Sequence, residues 1–105
     1  MFSNTQEKSV RVSINRNVVD FTAYVHVWTE GDKETRQSIR VRIHVDGYVD
    51  QSYGVVERWS GERWTEVATI KGAALNVDLN LSSRATEAAF NLDYRRLMAL
   101  ASEVL

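Results

Sequence analysis

The chain has 105 residues, a formal net charge of −1, 44% hydrophobic and 26% charged residues, no cysteine and no proline. This excludes a disulfide scaffold, a thiol nucleophile, a cysteine-held metal and a proline-rich tail, and it leaves no global field to draw nucleic acid or anionic membrane. The length suits a single domain over 1–105 with a real core, and no stretch nears the roughly 20 apolar residues of a membrane span.

The polar start, 1–8, reads as frayed and lacks the apolar core of a signal peptide. The expected location is therefore cytoplasmic, consistent with the absent cysteines. From Ser9 to Asn15, Val10, Val12 and Ile14 alternate with polar residues, which is the period of a strand with one buried face. Arg16-Asn17 suits a two-residue turn. The next stretch alternates more strictly. Val19, Phe21, Ala23, Val25 and Val27 interleave with Asp20, Thr22, Tyr24, His26 and Trp28. Ile39, Val41, Ile43 and Val45 then interleave with Ser38, Arg40, Arg42, His44 and Asp46. The polar 30–34 segment between them holds Gly31 and reads as a hairpin loop.

Pairing Thr29 with Thr35 sets Val25 against Ile39, Ala23 against Val41, Phe21 against Ile43 and Val19 against Val45. A one-residue slip would oppose apolar to polar along the whole ladder, so this register is favoured. The Arg16-Asn17 turn likewise sets Ile14, Val12 and Val10 against Val19, Phe21 and Ala23. The other face then pairs Trp28 with Arg36, His26 with Ser38, Tyr24 with Arg40, Thr22 with Arg42 and Asp20 with His44. Arg11 lies opposite Thr22.

After Asp46-Gly47 the alternation breaks and the register is open. A longer loop or bulge is expected there. A fourth strand is expected at about 53–59, a four-residue hairpin loop at Ser60-Gly61-Glu62-Arg63 that opposes Trp59 to Trp64, and a fifth strand at about 63–70. Leu75, Val77, Leu79 and Leu81 alternate with Asn76, Asp78 and Asn80, which predicts a sixth strand. The sheet is thus expected over 9–81. From 83 the period becomes helical, with Ser82 or Ser83 as N-cap. Phe90, Tyr94, Leu97, Met98, Ala101, Val104 and Leu105 form one stripe of a helix over 83–105. The predicted fold is α+β: a curved antiparallel meander of about six strands with one C-terminal helix on its apolar face.

No spacing of His, Asp and Glu suits a metal. Asp20 with His44 reads as a surface ion pair, and Glu57, Glu62 and Glu66 with Arg58 and Arg63 read as alternating surface charge. There is no phosphate-binding loop. No catalytic residue, metal or cofactor is therefore expected. The candidate partner-binding face is Arg11, Tyr24, His26, Trp28, Arg36, Arg40 and Arg42. Tyr, Trp and Arg are the usual anchors of protein interfaces, so the expected function is non-enzymatic protein–protein contact, as in small accessory or inhibitor proteins of the phage type. The alternative is single-stranded nucleic acid, with rings stacking on bases and guanidiniums on phosphates. An enzyme with a pocket between sheet and helix is a third reading. On the helix, Ala85, Ala88, Leu92 and Ala99 share a side away from the core stripe and offer a contact for a homodimer.

Overall fold

The computed structural model describes residues 6–15, 18–29 and 32–104, and the side chains of 18–28 and 36–104. The Arg16-Asn17 turn, Glu30-Gly31 and Leu105 lie outside the described residues, as does the Arg11 side chain. Five antiparallel strands follow in chain order: β1 (Gln6–Asn15), β2 (Val18–Thr29), β3 (Asp32–Asp46), β4 (Tyr53–Trp59) and β5 (Trp64–Lys71). They lie side by side as β1-β2-β3-β4-β5. One helix, α1 (Ser83–Val104), closes the described chain. The class is α+β, as expected. Among the described residues no helix is long and apolar enough to cross a membrane.

The period-two alternation fixes the first three strands. Ile14, Val12 and Val10 lie opposite Val19, Phe21 and Ala23. Val19, Phe21, Ala23 and Val25 lie opposite Val45, Ile43, Val41 and Ile39. These pairings are the ones the apolar pattern demands. Residues 6–8 are not frayed: β2 extends far enough to offer them partners, and Gln6 pairs with Val27.

Past Val27 the expected register fails. Val27 pairs with Gln37, but Thr29 pairs with Asp32 rather than with Thr35. The irregularity falls at Trp28, so the regular ladder that would set it against Arg36 ends at Val27.

The sixth strand is also absent. After β5 a single 3-10 turn, Gly72–Ala74, leads into an irregular segment, bent at Asn76 and Leu81 and turned at 79–80, that joins no ladder. Its alternation is nevertheless real. Val77 is buried and Leu75, Leu79 and Leu81 are half-buried against the core, while Asn76, Asp78 and Asn80 are exposed. The amides that a neighbouring strand would have accepted go elsewhere. The Asp93 carboxylate, fully buried at 0% exposure, accepts from the backbone N–H of Asn76 at 3.0 and 2.9 Å, from Asn76 Nδ2 at 2.7 Å and from the Val77 N–H at 3.2 Å. Arg96 Nη1 donates to the same carboxylate at 3.3 Å and to the Ala74 carbonyl at 2.7 Å. Side chains of α1 thus do the work of a sheet neighbour.

Ser82 caps α1: its hydroxyl accepts from the Ala85 N–H at 3.3 Å, and its carbonyl accepts the first helical bond, from Thr86, at 2.8 Å. Phe90, Tyr94, Leu97, Met98 and Ala101 are buried on the sheet, joined by Ala89 and Asp93. Phe90 stacks on Phe21 at 4.7 Å. Val104, expected in the stripe, is 68% exposed, so the buried stripe ends at Ala101. The helix comes close over β4 because residue 54 is glycine. A Cβ there would sit 2.9 Å from Leu97 Cδ1 and 3.3 Å from Leu75 Cδ2. Of the proposed dimer residues, Ala88, Leu92 and Ala99 are exposed and Ala85 is half-buried.

Candidate interaction cleft on the outer sheet face

The face turned away from α1 carries the polar half of each alternation. Its layout follows from register. Tyr24 lies opposite Arg40, Arg40 opposite Glu57, and Glu57 opposite Glu66. In the neighbouring row His26 lies opposite Ser38, and Trp59 opposite Trp64. The hairpin joining β4 to β5 holds the tryptophans in place. Ser60 N–H donates to the Arg63 carbonyl at 3.0 Å, and Ser60 Oγ accepts from the Arg63 N–H at 3.3 Å. Gly61 takes φ +97°, a conformation that a side chain would strain. This is the expected four-residue loop.

Glu57 is the centre of the polar part. It is buried, and its carboxylate accepts from Arg40 Nε at 3.0 Å, from Arg42 Nε at 2.8 Å and from Arg42 Nη2 at 3.3 Å. Burial alone would push the carboxyl pKa up, but the two guanidiniums outweigh it and hold it below its usual value. Burial likewise opposes the charge on Arg40, and Glu57 reverses that effect. The expectation that Glu57 belongs to a solvated run of alternating charge is therefore overturned. Its place opposite Arg40 follows only from the β3–β4 register, which the broken pattern after Asp46 left open.

The aromatic part lies beside it. The Arg40 guanidinium sits 4.5 Å from the centroid of Trp64. Trp64 is 6.3 Å from Tyr24, tilted by 60°, and 5.5 Å from Trp59, tilted by 58°. Between these rings lies a cleft of about 370 Å³, lined by Tyr24, His26, Ser38, Trp59 and Trp64 and floored by Val25 and Ile39. Tyr24 is 37% exposed and Trp59 43%. On the floor, Ser38 Oγ and His26 Nδ1 are hydrogen-bonded at 3.2 Å.

Of the residues singled out from sequence, Tyr24, His26, Arg40 and Arg42 come together here. Trp28 does not join them. It is only 5% exposed, because the ladder slips beside it. Removing an indole from water is worth about 3 kcal/mol or more, which favours burial over display. Arg36 is exposed and lies beyond the regular part of the ladder. Arg11 stands opposite Thr22 on β1. Trp59 and Trp64, opposed to one another as the hairpin loop predicts, supply walls of the cleft.

At the far end of the same face, His44 Nδ1 bonds Asp20 Oδ1 at 2.6 Å, and its Nε2 lies 3.4 Å from Asp46 Oδ2. The ring stacks on Tyr53 at 5.3 Å. The hydrogen bond to Asp20 raises the imidazole pKa, against burial, with Asp46 adding to it. Asp20–His44 is thus the ion pair expected. Among the described residues no group of three or more His, Cys, Asp or Glu side chains could hold a metal ion.

Compared with protein-family models, with curated proteins and with solved structures, the chain matches none. Any functional reading rests on the cleft itself.

Proposed function

We propose that this is a small non-enzymatic binding protein, of accessory or inhibitor type, that acts through protein–protein contact at the outer sheet face. The observation that carries the reading is the cleft of Tyr24, Trp59 and Trp64. Two of its three rings are more than a third exposed although the fold has an apolar core that could cover them. Exposed rings held rigid by a sheet anchor an interface at little entropic cost. Trp59 and Trp64 replace Trp28 in the face proposed from sequence.

Single-stranded nucleic acid on the same face has less support. Stacking rings are available, but both guanidiniums are bonded to Glu57, and turning either toward a phosphate would weaken the pairing of a buried carboxylate.

The test is capture of a partner from lysate by the wild-type chain, by Tyr24→Ala and by Trp59→Ala. A stoichiometric partner recovered by wild type and lost with both variants is the expected result. A partner retained equally by all three would refute the role of this face.

A further inference from the structure

We infer that the cleft takes a proline-rich segment of a partner protein in the polyproline II conformation. This deepens the reading above and rests on it.

Three features of the cleft select the ligand. The first is charge. Arg40 and Arg42 are matched in number by Glu57 and by Glu66 across the ladder from it. Along this row the charges balance in number, so the row itself favours neither an anionic nor a cationic ligand. A cationic side chain would instead approach Trp64 where Arg40 already lies over the ring.

The second is the sense of the hydrogen bonds. Indole N–H groups only donate. Among the described residues, those of Trp59 and Trp64 have no hydrogen-bond partner. His26 Nδ1 is already engaged by the Ser38 hydroxyl at 3.2 Å. A ligand rich in acceptors and poor in donors fits this set. Proline has a carbonyl and no N–H.

The third is shape. The rings are tilted by about 60° to one another, so they form ridges with gaps rather than a flat platform. Polyproline II is preformed, and its flat pyrrolidine rings enter aromatic-lined grooves at low entropic cost.

The segment is not among these 105 residues, which contain no proline.

The experiment is a titration of the full chain with a synthetic oligoproline peptide, followed by tryptophan fluorescence and by the indole N–H resonances in proton–nitrogen correlation spectra. A glycine–serine peptide, an oligothymidine and an oligoarginine peptide of equal length are the comparisons. The expected result is saturable binding of oligoproline alone, insensitive to salt. The Trp59 and Trp64 indole signals move while the buried Trp28 signal stays, and binding weakens about tenfold or more in Tyr24→Ala and Trp59→Ala. The indole signals of the wild type report on the cleft even if a variant fails to fold. No saturable change with oligoproline, or tighter binding of oligothymidine or oligoarginine, overturns the inference. If oligoproline fails while partner capture still depends on Tyr24 and Trp59, this inference falls and the binding role stands. If capture is indifferent to both residues, the binding role falls as well.

Discussion

Replacing Asp93 tests how the segment after β5 is held. The carboxylate is completely buried and receives the backbone N–H of Asn76 and Val77 and the Asn76 side-chain amide, all within 3.2 Å. Hydrogen bonds to a charged group contribute about 1.5–3 kcal/mol each. Two backbone donors lose their acceptor in Asp93→Ala, and water reaches the exposed Asn76 more easily than the buried Val77. The expected loss is about 3–5 kcal/mol, a large part of the roughly 5–15 kcal/mol that holds a domain folded. Asp93→Asn keeps the shape but turns an amide N–H₂ toward donors, so about 2–3 kcal/mol is expected. Urea denaturation followed by circular dichroism gives both values. The m-value should stay constant if the segment unfolds with the sheet. Asp78→Ala is the control: that exposed side chain accepts only the nearby Asn80 N–H, at 2.7 Å, and its loss should cost less than about 1 kcal/mol. An Asp93→Ala protein within about 1 kcal/mol of wild type would refute the assignment of this carboxylate as the acceptor that replaces a sixth strand.

Trp28→Ala should destabilise by about 3–5 kcal/mol and Trp59→Ala by less than about 1 kcal/mol in the same assay, because only the first indole is buried; equal costs would contradict the slipped ladder. Gly54→Ala should cost about 1–3 kcal/mol, since its methyl group would meet Leu97 and Leu75; a stabilised variant would show that α1 has room to move. The charged His44 imidazole has a folded pKa above its ordinary 6.5. Its stabilisation is fully present below about pH 6.5 and is lost as pH rises through the higher folded value. Because the pair is partly exposed, the step should stay under about 1 kcal/mol. Asp20→Asn should shrink it in a pH series of thermal melts, and an unchanged step would exclude Asp20 as its source.

Much of the fold was legible because one signal decided it. Over 10–14, 19–27 and 39–45 every inward position is apolar and a one-residue slip would oppose apolar to polar, so the alternation specifies pairing as well as strand identity. The same signal misleads at 75–81. Leu75, Val77, Leu79 and Leu81 alternate because one side of an irregular segment lies on the core, and alternation reports which side of a chain is covered, not what accepts its amides. The acceptor sits on a helix 16–17 residues further along, where Asp93 reads as an ordinary polar interruption of a helical stripe. Trp28 fails for a different reason. Parity assigned it to the wet face, but parity holds only while the ladder is regular, and the slip after Val27 frees a large ring to leave water.

The site depended on a register that no apolar pattern announced. β4 is buried on both faces from Gly54 to Glu57, since α1 covers one side and the long side chains of β3 lie on the other, so Val55-Val56 shows no alternation to read. Once Arg40 is set opposite Glu57, the nature of the face changes. Two arginines that looked available to a phosphate backbone are held by a buried carboxylate, beside the exposed rings of Tyr24 and Trp59. A face read from sequence as basic with aromatic interleaving is, in three dimensions, a locally balanced ion cluster next to an open aromatic cleft. That arrangement adds support to the protein partner already preferred from sequence over nucleic acid.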